Sequence, residues 1–151
     1  MKWNLAELNI AKMMFDPDGQ EMEDFNDALD PVNALADSSP GFVWRLESGS
    51  TNPEADLVFE DASWIVNLTV WRSLEELTAF IRNETHLSIM RRRREWFESL
   101  AEATMVLWWV PEGHIPRVPE AQERLLALRN NGPTSYAFSF ADNFPAPSGQ
   151  S

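Results

Sequence analysis

The chain has no cysteine and only two histidines in 151 residues. Without a thiol there can be no disulfide, thiolate metal site, iron–sulfur cluster or thiol nucleophile, which suits a cytoplasmic protein. His86 and His114 do not form an H-x-x-x-H or H-x-x-E pair, so metal ligation has little support. No D-x-D-x-D-G calcium loop, G-x-S-x-G elbow, Rossmann glycine fingerprint or P-loop occurs. The opening residues MKWNLAELNIAKMMF lack the uncharged core of a signal peptide. No later apolar run reaches membrane-spanning length. The expectation is a soluble cytoplasmic protein with no membrane partner.

Basic residues are nearly missing from the first half. Between Met13 and Trp71 thirteen acidic residues face one base, Arg45, and the whole chain carries a net charge of −12. That field repels polyanions. The run Arg91–Arg94 is therefore expected to pair locally, Arg91 with Glu95 and Arg94 with Glu98 at helical spacing, and to bind no nucleic acid.

The length fits one domain with a sizeable core, residues 1–144, followed by a loose tail, 145–151. Trp3–Lys12 alternates as a first strand, with Leu8 and Ile10 on one face and Leu5, Glu7 and Asn9 on the other. Asp16-Pro17-Asp18-Gly19 is a turn. Apolar residues recur at helical spacing from Gln20 to Ala36, where Pro31 predicts a kink, or a break with Asp30 as a new cap. A second strand follows in FVWRLE, with Phe42, Trp44 and Leu46 on one side and Arg45 on the other. Ser48–Pro53 reads as a polar loop and Leu57–Phe59 as a weak edge piece. Ile65–Trp71 is the clearest strand, placing Val66, Leu68 and Val70 opposite Asn67, Thr69 and Trp71.

Ser73 and Glu76 have capping-box spacing and open a helix of about three turns. A second helix is expected from Thr85 past Phe97, with His86 leaning inward beside Met90, Arg93 and Phe97. Met105–Val110 is apolar on both sides, as in a central strand. A short helix, Pro119–Arg129, and a final strand, Tyr136–Phe140, complete the order. This is the split βαβ pattern of an α+β, ferredoxin-like fold. Helices on one face would leave the other open, and an open face bearing Trp71 and Asn67 calls for a partner sheet, hence a homodimer.

Four segments carry a resemblance: VNALADSSPGFVWRLE (32–47), NLTVWRSLEELTAFIRNETHLSIMRRRREWF (67–97), VLWWVPEGHIP (106–116) and RLLALRNNGPTSYAFSF (124–140). They resemble a mainly bacterial family, domain-of-unknown-function family 3291, in the dimeric α+β barrel superfamily. Relatives there include cofactor-free monooxygenases of the antibiotic-biosynthesis type, haem enzymes such as aldoxime dehydratases and chlorite dismutases, and domains without known activity. The resemblance implies the fold, a homodimer and a place for His86 in the family signature. It leaves the reaction open, because one fold hosts unrelated chemistries. Pro31 departs from the polar residue usual at that point of the first helix.

His86 is the candidate catalytic group: imidazole serves as general base, proton donor or axial haem ligand. A backbone hydrogen bond with a purely structural role is its competing assignment. His114, at a strand end, is expected to make a structural bond. Asn9, Asn67 and Thr69 put polar atoms on an otherwise apolar strand face, where they require partners or a ligand. Glu7 and Arg45 add to that polarity, although a ferredoxin-like order with strand one between three and two leaves their pairing to the fold. Trp44, Trp71, Trp108 and Trp109 either wall a pocket or fill the core. The functional expectation is a domain binding a small apolar or aromatic molecule, with monooxygenase-like activity. Its alternatives are a non-catalytic binding or structural domain and a haem-dependent enzyme using His86. No cofactor is the leading expectation, with haem behind it.

Overall fold

The alternating residues Trp3–Lys12 form strand β1. In the computed structural model, which describes residues 2–46 and 63–147, β3 (Trp64–Trp71) pairs antiparallel with β1 from Leu5↔Trp71 to Lys12↔Trp64. Strand β4 (Met105–Pro111) lines the other side of β1, and β2 (Phe42–Arg45) pairs with the outer edge of β3. The order β2-β3-β1-β4, with helices between the strands, is the ferredoxin-like α+β arrangement. Strand β1 thus lies between β3 and β4, which corrects the expected neighbours. Glu7 and Arg45 flank Thr69 from opposite sides, one strand apart, and do not pair.

Register explains the layers. Ala6, Leu8, Ile10, Val66, Leu68, Val70, Val106, Trp108 and Val110 share one face, where helix α4 (Val118–Asn131) packs Ala121, Leu125 and Leu128 against them. The opposite face meets α2 (Leu74–Ile81) through Leu77, Phe80 and Ile81, over Leu5, Trp71 and Leu107. Farther along that face, Met13 and Ile65 meet Met22 and Phe25 of the α1 region together with Ile89, Trp96 and Phe97. Helix α1 spans Glu23–Asp37 after a 3-10 turn at Gln20–Met22, and α3 spans Glu84–Met90.

The expected open face bearing Trp71 is therefore covered: Trp71 is fully buried beneath the chain's own helices, and α4 packs on the other side. Strand periodicity sorts residues into two faces but does not say which face each helix returns to.

Other local expectations shift as well. Pro31 sits inside α1 at an exposed position without ending it, so Asp30 caps nothing. A bulge between Phe42 and Trp44 turns these residues to opposite faces, against the simple alternation read from the sequence. The Ser73 hydroxyl accepts the Glu76 N–H at 3.1 Å and donates to Glu76 Oε1 at 3.0 Å. The carboxylate thus returns to the hydroxyl and not, as the capping box had it, to the backbone.

The long second helix stops at Met90, and a 3-10 turn, Arg93–Glu95, follows. The cause is tertiary. Trp96 is buried, its carbonyl accepts the Met14 N–H at 2.9 Å, and the Glu98 N–H bonds Lys12 O at 2.9 Å, so this segment runs along the end of β1. The arginines pair differently in consequence: Arg91 with Glu84, and Arg92 with Glu95 and Asp24. The expected last strand reduces to one bridge, Phe138↔Leu107. The expected loop 48–53, edge piece 57–59 and end of the tail lie outside the described residues.

Candidate functional site

Along the helix-facing side of the sheet, β1 presents Leu5, Glu7 and Asn9, and β3 presents Trp71, Thr69 and Asn67 in register opposite them. Glu7, Asn9, Asn67 and Thr69 form a polar band between two apolar clusters, one around Leu5, Trp71 and Leu107, the other around Met13 and Trp96. Asn67, Asn9 and Thr69 are half-buried, so solvent reaches the band, while Glu7 is only 6% exposed.

The band is wired in one direction. The Asn67 amide donates to Asn9 Oδ1 at 3.0 Å, and the Asn9 amide donates to Glu7 Oε1 at 2.7 Å. Among the described residues nothing bonds the second Glu7 oxygen. Burial pushes the Glu7 carboxyl from its ordinary 4.5 up to about 7, and the Asn9 hydrogen bond offsets part of that rise. A carboxyl titrating there is suited to exchanging a proton at neutral pH.

The other expected site residues separate. Trp71 gives its indole N–H to Thr69 Oγ1 at 2.9 Å and stacks on Phe80 at 5.1 Å, so it is a filled wall. His86 lies beyond that stack, 5.1 Å from the Phe80 ring, with Nδ1 3.0 Å from the Ile81 carbonyl. A carbonyl only accepts, which assigns the proton to Nδ1 and leaves Nε2 a lone pair. Burial holds this imidazole below its ordinary value, with the Ile81 bond opposing. No hydrogen bond or ring contact joins His86 to the polar band. Trp44 and Trp108 are on the α4 face, so the four tryptophans do not wall one pocket. Arg45 sits at the β2 edge with Nε 2.8 Å from Asp37 Oδ1. His114 makes the expected structural bond: its Nε2 is 2.7 Å from Glu120 Oε1, while Glu120 Oε2 accepts the Trp108 N–H at 3.0 Å.

Glu7, which the sequence offers only as added polarity, is the central group of the band. Its one sequence signal is an acid two residues from Asn9 on an otherwise apolar strand face. A cavity of about 330 Å³ lies elsewhere, on the α4 side between Trp64, Leu125 and Arg129, and contains none of the expected site residues. Among the described residues no group of three or more histidine or acidic side chains is placed to hold a metal ion. No described helix is long and apolar enough to cross a membrane.

The chain belongs to the family described as domain of unknown function DUF3291, whose model matches residues 4–151. No protein of curated function matches its sequence. Among solved structures it is similar to PA3566 of Pseudomonas aeruginosa, with 11% identity over 76% of this chain and 98% of that one, at a TM-score of 0.52. It is also similar to Rv0793 of Mycobacterium tuberculosis, with 11% identity, the same coverages of 76% and 98%, and a TM-score of 0.51. A third similar structure is SnoaB, a cofactor-independent oxygenase of Streptomyces nogalater, with 14% identity over 78% and 98% at a TM-score of 0.48. At such identities the likeness concerns the fold.

Proposed function

We propose that this DUF3291 protein binds a small apolar or aromatic molecule against the helix-facing side of its sheet, with Glu7, Asn9, Asn67 and Thr69 as the polar contacts. The observation that carries this reading is the Glu7 carboxyl, 6% exposed and bonded among the described residues by the Asn9 amide alone. Its second oxygen keeps enough exposure to accept a hydrogen bond from a ligand or water. The apolar clusters on either side supply the desolvating walls, and the half-buried amides and hydroxyl supply orientation.

Monooxygenase-like activity is a second reading, favoured by the carboxyl placed at about 7. In it the Glu7 carboxylate takes a proton from an acidic C–H or O–H of the bound molecule, and the resulting anion is the electron-rich partner for dioxygen. His86 would enter as a second proton acceptor through Nε2. Haem ligation by the same nitrogen fits less well, because the Phe80 ring packs 5.1 Å from the imidazole. The proposed assembly is a homodimer. Its support is the family resemblance, since Trp71, expected on an open face, is fully buried beneath the chain's own helices.

The test is an NMR titration that follows the side-chain amides of Asn9 and Asn67 with naphthalene-based probes, alongside dioxygen uptake. Binding shifts both amides saturably, and uptake dependent on Glu7 adds the catalytic reading. Probes that leave both amides unmoved would remove the binding reading.

A further inference from the structure

We infer that the ligand of the Glu7 site is a cation, an apolar or aromatic body carrying a protonated amine that pairs with the unpartnered Glu7 oxygen. The inference rests on the binding reading above and adds the charge of the ligand.

Three observations converge. First, the described residues supply this carboxyl with no cation. Asn9 holds one oxygen, and the residues in register on either side of Glu7 are Thr69 and Leu107, neither of them charged. Burial and the Asn9 amide account for its displaced titration, with no contribution from a neighbouring charge. The nearest strand cation in register, Arg45, is committed to Asp37 across the sheet edge. His86 of α3 is kept toward its neutral form by burial, and it makes no contact with the band.

Second, the Asn9 amide donates to Glu7 and the Asn67 amide donates to Asn9 Oδ1. The relay from Asn67 through Asn9 to Glu7 stabilises a carboxylate and presents no positive charge of its own. A bound carboxylate or phosphate would meet Glu7 with like charge, inside a molecule of net charge −12. A neutral alcohol would satisfy the oxygen's lone pair but leave the buried charge uncompensated. A protonated amine does both.

Third, the adjoining wall is aromatic. Trp71 is fully buried, stacked on Phe80 at 5.1 Å and edge-on to Phe42 at 5.5 Å, which leaves the partly exposed Phe42 and Phe80 as the rings open to a ligand. Aromatic faces favour organic cations, and this preference grows when water is excluded.

The experiment uses the full chain and three probes of one shape: 2-naphthylmethylamine, 2-naphthylmethanol and 2-naphthoate. Calorimetry at pH 6.5 in buffers of different ionisation enthalpy counts protons, and the Asn9 and Asn67 side-chain amides report location. The expected result is amine affinity at least tenfold above that of the alcohol and no naphthoate binding. The amine should displace protons from Glu7, and its binding should be about tenfold weaker at pH 6 than at pH 8, as expected for a carboxyl titrating near 7. Glu7→Gln should remove the preference for the amine while the alcohol still shifts both amides. Equal or tighter binding of the alcohol or naphthoate at those amides overturns the cation inference and leaves the binding reading standing. If no probe moves the amides, the binding reading fails and this inference goes with it. Should Glu7→Gln not fold, amine binding to the unmodified chain without proton release is by itself sufficient to overturn the inference.

Discussion

Asn67 and Asn9 face each other across the β3–β1 pair, and the Asn67 amide donates to Asn9 Oδ1 at 3.0 Å. The amide of Asn9 is thereby oriented toward Glu7 Oε1, 2.7 Å away. Two neutral side chains thus hold a carboxyl in the middle of a sheet, with no cation paired to it among the described residues. The arrangement is sensitive to pH, and it supplies the first prediction.

Glu7 binds its proton more tightly in the folded chain, at about 7, than in the unfolded chain, near its ordinary 4.5. Its contribution to stability is therefore fully present below about pH 4.5 and is lost as pH rises through about 7, a change on the order of 3 kcal/mol. Urea unfolding should show a lower midpoint at pH 8 than at pH 6. Glu7→Gln should flatten that difference. If the variant shows the same slope with pH, Glu7 is not its source.

Gly41 has φ of +83°, and a Cβ added there would run into the Glu76 side chain. Glu76 is the residue whose N–H and carboxylate both engage Ser73 at the start of α2. Gly41→Ala combines backbone strain with loss of that cap and should cost roughly 2–4 kcal/mol. Thermal melting is the measurement, and an unchanged Tm would show that Glu76 can vacate its place freely.

His86→Gln keeps a donor for the Ile81 carbonyl and removes the imidazole. If His86 serves the turn between α2 and α3, the variant should lose about 1 kcal/mol or less and bind the naphthalene probes at Asn9 and Asn67 as before. Loss of probe binding with an unchanged Tm would instead assign the imidazole to the ligand.

Arg92 pairs with Asp24 and Glu95 and lies 4.8 Å over the Trp96 ring. It ties α1 to the turn that replaces the expected helix. Arg92→Ala should lower Tm more than Arg94→Ala does. Fluorescence anisotropy with DNA at low salt should show no binding at about 10 μM for the unmodified chain, because the acidic field opposes it. A saturable, salt-sensitive signal would reassign the arginines to a polyanion.

Sedimentation at micromolar concentration tests the proposed homodimer. A stable monomer would agree with a sheet that meets the chain's own helices on both faces, and would remove the dimer.

The sequence by itself determined strands β1 and β3 and their faces. Alternation from Trp3 to Lys12 and from Ile65 to Trp71 sufficed, because a strand's side-chain period of two is local physics. It also determined the start of α2, where Ser73 and Glu76 stand three residues apart, and the exclusion of thiol chemistry. With four resembling segments it pointed to the family and the ferredoxin-like fold class, while the strand neighbours of β1 came from the structure. What it could not fix is which layer each face meets. Trp71 alternates like an outward residue, and only the return of α2 over it, with Phe80 stacked at 5.1 Å, makes it core. The long helix read through Arg91–Arg94 has sound local periodicity, yet Trp96 and Glu98 hydrogen-bond the end of β1 and end it early. Glu7 shows the same division. Its place on a face follows from alternation, but its burial, its single amide partner and its displaced titration depend on neighbours sixty and a hundred residues away, Asn67 and Leu107, brought beside it by strand pairing.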